Sequence, residues 1–242
     1  MDKILFISLV TYLVLSLSIS PDTTASVHAA TEQTTDQRKE ITKDDQIYIQ
    51  NIALVQEAGK DKDFGTGVRL NQDTILTNKH VVDAIDEQKL IVKLRDTSGE
   101  FQDYKVTEIH AAPEVHQDLA LLKIEATAES NTEANTETFP LTSANSIKAL
   151  KADDKVHIVG YPGDKDYGSL WRSDGDVHEV DAENGVIVFT AQIGGGNSGS
   201  PLFNEAGEII GLVNETSDDP NDPLAFGFVF TDSLYQFIQK HL

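Results

Sequence analysis

Three short stretches of the chain hold the residue types that acyl transfer requires. The first is Gly194-Gly195-Gly196-Asn197-Ser198-Gly199-Ser200-Pro201, between apolar runs at Val186–Phe189 and Ile209–Val213. Glycines let a backbone turn and approach another chain where a Cβ would collide. Such a turn can aim successive amide N–H groups at one point, which suits a developing oxyanion. Taken alone, the stretch could also be a Gly/Ser hairpin without chemistry, because a serine hydroxyl is a poor nucleophile until a base activates it. Thr77-Asn78-Lys79-His80-Val81-Val82 supplies an imidazole at the end of the apolar segment Thr74–Leu76. His116-Gln117-Asp118-Leu119-Ala120-Leu121 supplies a carboxylate at the mouth of another apolar run. Nucleophile, imidazole and orienting carboxylate then follow one another as Ser198, His80 and Asp118, in the chain order His, Asp, Ser. Asp83 is a rival for the orienting role, but it follows His80 on the same local turn, which favours Asp118.

These motifs, with Val159-Gly160-Tyr161-Pro162-Gly163-Asp164 and Leu170-Trp171-Arg172-Ser173, resemble the chymotrypsin-like serine proteases of Gram-positive bacteria. Within that group the chain is similar to the glutamyl endopeptidase, exfoliative toxin and Spl protease branch, from about Tyr48 onward. The resemblance implies an all-β fold of two six-stranded antiparallel β-barrels with a C-terminal helix and a triad in the cleft between the barrels. It makes Ser198 the nucleophile, His80 the base, Asp118 the orienting group, and the backbone N–H groups of Gly196 and Ser198 the oxyanion donors. Protein or peptide substrates follow, with no cofactor.

Specificity departs from the branch. Glutamyl endopeptidases usually present a histidine on the strand after the nucleophile loop and a threonine shortly before the glycine pair, and both help hold a substrate glutamate. Here Val213 and Ile193 stand at those places, and Glu215 adds negative charge near the pocket rim. A carboxylate without partners is costly to bury, and like charges repel. An apolar or uncharged residue before the scissile bond is therefore expected, rather than glutamate, and a basic one if Glu215 points inward. Asn197 cannot form the ion pair that trypsin-type zymogens make with an aspartate just before the nucleophile. Two other readings stay open: an HtrA-type protease lacking a peptide-binding domain, and a binding protein on a protease scaffold.

The elements that must position these residues read as short strands at close spacing. Ile47–Ile49, Ala53–Val55, Gly67–Leu70, Thr74–Thr77, Leu90–Lys93 and Tyr104–Ile109 belong to a first barrel over residues 46–138. Lys155–Val159, Val177–Val180, Gly185–Phe189 and Ala225–Phe230 belong to a second, over residues 139–242. The polar stretch from Ala126 to Glu137 is the expected linker. Thr231 can cap a final helix whose Leu234, Phe237, Ile238 and Leu242 recur at helical spacing.

Residues 1–29, with Lys3 before the apolar run Ile4–Leu17, read as a secretory signal peptide, and 30–45 as a propeptide or a loose N-terminal segment. A secreted, extracellular protein is expected. Composition agrees with export and excludes several classes. Lys+Arg 19 against Asp+Glu 40 gives a net charge of −21, which argues against nucleic acid and against stable membrane association. There is no cysteine, so the core must hold without disulfides. A monomer is expected. No zinc pattern is visible, and Asp218-Asp219-Pro220-Asn221-Asp222 lacks full EF-hand spacing, so no metal is assigned.

Overall fold

The computed structural model describes residues 36–114, 117–126, 137–217 and 224–242. The chain begins with a two-residue strand β1 (Lys39–Glu40), a single helical turn α1 (Gln46–Asn51) and β2 (Ile52–Glu57). Then follow β3 (Gly65–Asn71), β4 (Thr74–Thr77), the short helix α2 (Lys79–Asp83), β5 (Leu90–Arg95), β6 (Phe101–Ala111) and β7 (Ala120–Ala126). Strands β2 to β7 close an antiparallel barrel in the order β2-β3-β4-β7-β6-β5. The second part holds α3 (Ala144–Lys148), β8 (Lys155–Gly160), β9 (Trp171–Asp181), β10 (Val186–Phe189), β11 (Pro201–Asn204), β12 (Ile209–Thr216), β13 (Ala225–Val229) and α4 (Asp232–His241). Its strands run β9-β10-β13-β12-β11-β8, and a further pairing of β8 with β9 closes this barrel too.

The closure depends on β9 being long. Its first half, Trp171–Asp176, pairs with β8, and its second half, Val177–Asp181, pairs with β10. Closed barrels bury alternate side chains inward, which the alternation of buried and partly buried residues along β5 and β13 reflects; the start of β9, beyond the reach of β10, keeps one edge open to β1. Each barrel has its own apolar filling: Val55, Ile75, Val92 and Leu122 in the first, Ile158, Phe189, Leu202 and Val213 in the second. A third cluster joins Leu54, Leu76 and Leu121 of the first barrel to Val159, Tyr161, Phe203 and Leu212 of the second and to Leu234 and Ile238 of α4. The barrels therefore share an apolar interface, and removing that surface from water is what holds them together. The Tyr161 hydroxyl crosses it to the Ile52 carbonyl at 3.1 Å.

Three expectations change. Ile47-Tyr48-Ile49 is helical, not a strand. Three residues are too few for an alternating pattern to decide, and one local and one distant side-chain bond favour the turn: Asn51 Nδ2 donates to the Ile47 carbonyl at 2.8 Å and to the Glu137 carbonyl at 2.9 Å. Residues 36–45 are not loose, because β1 pairs with β9 and the Ile41 N–H donates to the Leu170 carbonyl at 2.7 Å. Leu242 is 39% exposed and outside the apolar face of α4, while Thr231 caps that helix by accepting the Leu234 N–H. The signal peptide, most of the linker, His116 and the acidic run from Asp218 to Asp222 lie outside the described residues. No helix among the described residues is long and apolar enough to cross a membrane.

His157 on β8 yields a test of this packing. It is 7% exposed, stacks on Phe203 and meets the Tyr48 hydroxyl at 3.1 Å. Burial, and after it the nearby Arg172 charge, pushes it down from 6.5 to about 4. The folded protein therefore keeps His157 neutral, while the unfolded chain binds a proton below about pH 6.5. The stability it contributes is complete above that pH and is lost as pH falls through about 4, with a span of about 3 kcal/mol. In urea melts, His157→Gln should lose less stability than the wild type between pH 6.5 and 4. Equal losses would show that His157 takes up its proton while folded.

Candidate active site

His80 sits in the first turn of α2, directly after β4. The turn leading to it is pinned, since Asn78 Nδ2 donates to the Asp118 carbonyl at 2.9 Å. Asp118 lies just before β7 and holds His80 with both carboxylate oxygens. Its Oδ1 accepts the His80 backbone N–H at 2.8 Å, and its Oδ2 faces His80 Nδ1 at 2.5 Å. Burial pushes the Asp118 carboxyl up, but the His80 ring and the backbone N–H groups of His80 and Lys79 outweigh it, and the group stays below its ordinary range. A carboxylate on Nδ1 selects the tautomer that leaves Nε2 free to accept a proton. Asp83 takes no part in this, because it forms an ion pair with Lys79.

The Ser198 loop belongs to the second barrel but is seated on the first. The Thr66 N–H donates to the Ser198 carbonyl at 2.8 Å, and Thr66 Oγ1 donates to the Gly196 carbonyl at 2.8 Å. The same hydroxyl accepts the Tyr161 N–H at 3.1 Å, while the Thr66 carbonyl accepts Thr77 Oγ1 at 2.7 Å. Thr66 thus joins the Ser198 loop to the end of β4, three residues before His80. Thr66 belongs to none of the motifs that mark the site in the sequence. The available signal is the pair of flanking glycines, since a side chain at Gly65 would strike Val81 and approach the Ser198 carbonyl.

Two glycines of the loop are structurally required. Gly196 and Gly199 have φ of +90° and +84°. A Cβ at Gly199 would run into the Thr66 carbonyl oxygen and the Thr77 hydroxyl, and one at Gly196 into the Tyr161 carbonyl oxygen. The N–H groups of Asn197, Gly199 and Ser200 donate to the carbonyls of Gly194, Val213 and Asn197. Among the described residues, those of Gly196 and Ser198 have no protein acceptor. In a trans peptide the C=O and N–H point in opposite directions. The Gly195 carbonyl accepts the Gly163 N–H at 2.5 Å and the Asn197 carbonyl accepts the Ser200 N–H at 2.9 Å, so each free N–H is turned away from its carbonyl's partner. Two uncommitted donors beside a serine are suited to a tetrahedral oxyanion.

Ser198 Oγ itself donates to the Asn214 carbonyl at 3.1 Å. The structure brings His80 and Asp118 into direct contact and joins the Ser198 loop to them through Thr66, while the hydroxyl rests on Asn214. Of the expected pocket residues, Val213 is fully buried in the second barrel and Ile193 packs partly buried against the same cluster. Glu215 is exposed. Among the described residues no group of side chains could hold a metal ion.

A profile of the trypsin-like peptidase domain matches residues 65–212, which include His80, Asp118 and Ser198. Glutamyl endopeptidases of Staphylococcus aureus are 30% identical over 184 residues in strain MW2 and 29% identical in strain MRSA252. Those alignments take in 72% of this chain and 54% and 49% of the relatives, so the chain spans about half the length of the curated relatives it matches. Among solved structures, a Glu endopeptidase in complex with MPD superposes with a TM-score of 0.66 at 21% identity, over 86% of this chain and 97% of the other. The VesB protease of Vibrio cholerae superposes with a TM-score of 0.65 at 16% identity, over 84% of this chain and 66% of the other. At those identities the superpositions establish the double-barrel fold.

The seating of the loop predicts unequal responses to adding one methyl group. Gly199→Ala combines a positive φ with two collisions and should cost about 3 kcal/mol or more, a fall in Tm of about 6 °C or more. Gly195→Ala meets nothing within 4 Å and should leave Tm within about 2 °C of the wild type. Thermal melts of the two variants check this. Similar Tm values would mean that the loop is not clamped against Thr66.

Proposed function

Because the chain belongs to the trypsin-like peptidase domain family, we propose that it is a serine endopeptidase in which Ser198, His80 and Asp118 form the catalytic triad. The observation that carries this reading is the two-oxygen hold of Asp118 on His80, in the barrel to which the Ser198 loop is itself bonded through Thr66. A binding scaffold has no need of a fixed tautomer beside a serine.

In this mechanism the Ser198 hydroxyl leaves the Asn214 carbonyl by rotation about χ1 and turns toward His80 Nε2. It attacks the peptide carbonyl carbon as His80 takes its proton, and the carbonyl oxygen becomes an oxyanion between the N–H groups of Gly196 and Ser198. Asp118 stabilises the imidazolium that results. His80 then gives the proton to the leaving amine, which yields an acyl-enzyme at Ser198, and water repeats the sequence to release the acid and restore the serine. Export forms part of the same proposal, on the strength of Lys3 and the apolar run Ile4–Leu17.

Covalent labelling by a fluorophosphonate tests the nucleophile. The wild type should be labelled at Ser198, and Ser198→Ala should take no label. Both Ser198→Ala and His80→Ala should lower kcat by about four orders of magnitude or more with the fold intact by circular dichroism. Near-full activity in either variant would remove the assignment.

For the substrate we propose an apolar or uncharged residue before the scissile bond. Val213 is bonded to the nucleophile loop through both its N–H and its carbonyl, to Ser200 and Gly199. Its side chain is fully buried in the apolar filling of the second barrel, and Ile193 borders the same cluster. A substrate carboxylate directed there would lose its hydration with no polar partner from either residue. Sequencing the products of a mixed peptide library should show few cuts after glutamate. Products dominated by such cuts would overturn this specificity and point to another carboxylate-binding group, such as the exposed His178 or the N-terminal segment.

A further inference from the structure

Arg38 lies outside both barrels, immediately before β1, yet its side chain is only 4% exposed. Its Nη1 and Nη2 donate to Oδ1 and Oδ2 of Asp164 at 2.9 and 2.5 Å. The same guanidinium holds Asp36 through Nε at 3.0 Å and Nη2 at 2.8 Å, and Lys165 Nζ reaches Asp36 Oδ2 at 2.5 Å. Arg38 and then Lys165 hold the Asp36 carboxyl below its ordinary range, and Arg38 does the same for Asp164. Four charges are thus gathered where the N-terminal segment meets the turn that follows β8.

That turn touches the glycine loop. The Gly163 N–H is the donor that fixes the Gly195 carbonyl at 2.5 Å, and the Asp164 carboxylate lies against Gly194, where Oδ1 would be 3.0 Å from an added Cβ. The far limb of the turn is tied to the first barrel, with the Tyr167 hydroxyl on Gln56 Oε1 at 2.7 Å and Arg95 Nη2 on the Gly168 carbonyl at 2.6 Å. The near limb, which carries Gly163 and Asp164, is tied by Arg38. A bidentate guanidinium–carboxylate pair fixes orientation as well as distance. Holding Asp164 therefore holds the adjacent Gly163 N–H on the Gly195 carbonyl. Peptide planarity then passes that constraint to the Gly196 N–H on the other side of the same peptide.

We propose that Arg38 is a positioning residue for catalysis, acting through Asp164 and Gly163 to aim the Gly196 N–H at the oxyanion. The inference rests on the serine-peptidase reading above. It gives the N-terminal segment a function that Asn197 cannot provide, since Asn197 carries no charge to pair with. The connection runs through a side-chain fork and one peptide plane, and needs no free terminal amine.

The test compares Arg38→Ala, Arg38→Lys, Asp164→Asn and the Arg38→Ala/Asp164→Asn double variant in the full chain. Kinetics use a peptide cut by the wild type, alongside fluorophosphonate labelling rates. Loss of aim should lower kcat by about 10-fold or more, short of the ~10²–10³ lost with a whole oxyanion donor, and leave KM within about threefold. Labelling of Ser198 should slow in parallel. Arg38→Lys keeps the charge but not the fork and should fall between Arg38→Ala and the wild type. The double variant should be no worse than the poorer single one, because both remove the same link. If Arg38→Ala fails to fold, Arg38→Lys and Asp164→Asn decide the matter. Wild-type kcat in the folded variants, or a rise in KM at unchanged kcat, would overturn the inference while leaving the triad in place. A wild-type chain that takes no label at Ser198 would overturn the peptidase reading and this inference with it.

Discussion

Thr66 is the junction on which the site depends. It is a buried residue of the first barrel, and its N–H, hydroxyl and carbonyl all bond to parts of the site. Through them it holds the Ser198 and Gly196 carbonyls of one barrel and the Thr77 hydroxyl of the other. The proposed mechanism needs a nucleophile and a base, carried by different barrels, kept in register to a fraction of an ångström. Apolar packing keeps the barrels together but is not directional. Directional bonds at Thr66 supply the register that packing alone lacks.

The glycine loop works by committing some of its backbone and leaving the rest free. Donors at Asn197, Gly199 and Ser200 are used to build the turn, and the carbonyls of Gly195 and Asn197 are tied to Gly163 and Ser200. What remains are the N–H groups of Gly196 and Ser198, pre-oriented because each shares a peptide plane with a fixed carbonyl. Preorganised donors of this kind need no rearrangement as charge develops. The positive φ at Gly196 and Gly199, together with backbone oxygens where their Cβ atoms would lie, explains why no other residue serves there.

Charge is distributed in the same economical way. The chain carries a large negative excess, yet four carboxylates near the site are engaged: Asp118 with His80, Asp83 with Lys79, Asp164 and Asp36 with Arg38. The engagement of Asp83 removes the one carboxylate near His80 in sequence that could compete for its ring.

Much of the site was legible in the chain itself. The types and order of His80, Asp118 and Ser198, the glycines before the serine, and the short strands with their turns all follow from local chemistry. Most strands begin and end within a residue or two of where their alternation suggests. Local reading failed where the deciding contact was distant. Ile47–Ile49 has a strand's alternation but became helical where Asn51 bonds both within its own turn and to Glu137. Residues 36–45 have too little apolar surface to order themselves, yet they dock because β9 offers an edge and Asp164 a partner for Arg38. Thr66 is one more threonine in a strand until the second barrel is laid against it. The sequence by itself determined which groups are present and in what order they come. The tertiary structure alone decided which backbone N–H groups stay free and which carboxylate reaches the imidazole, because hydrogen bonds depend on distances that only the closed barrels define.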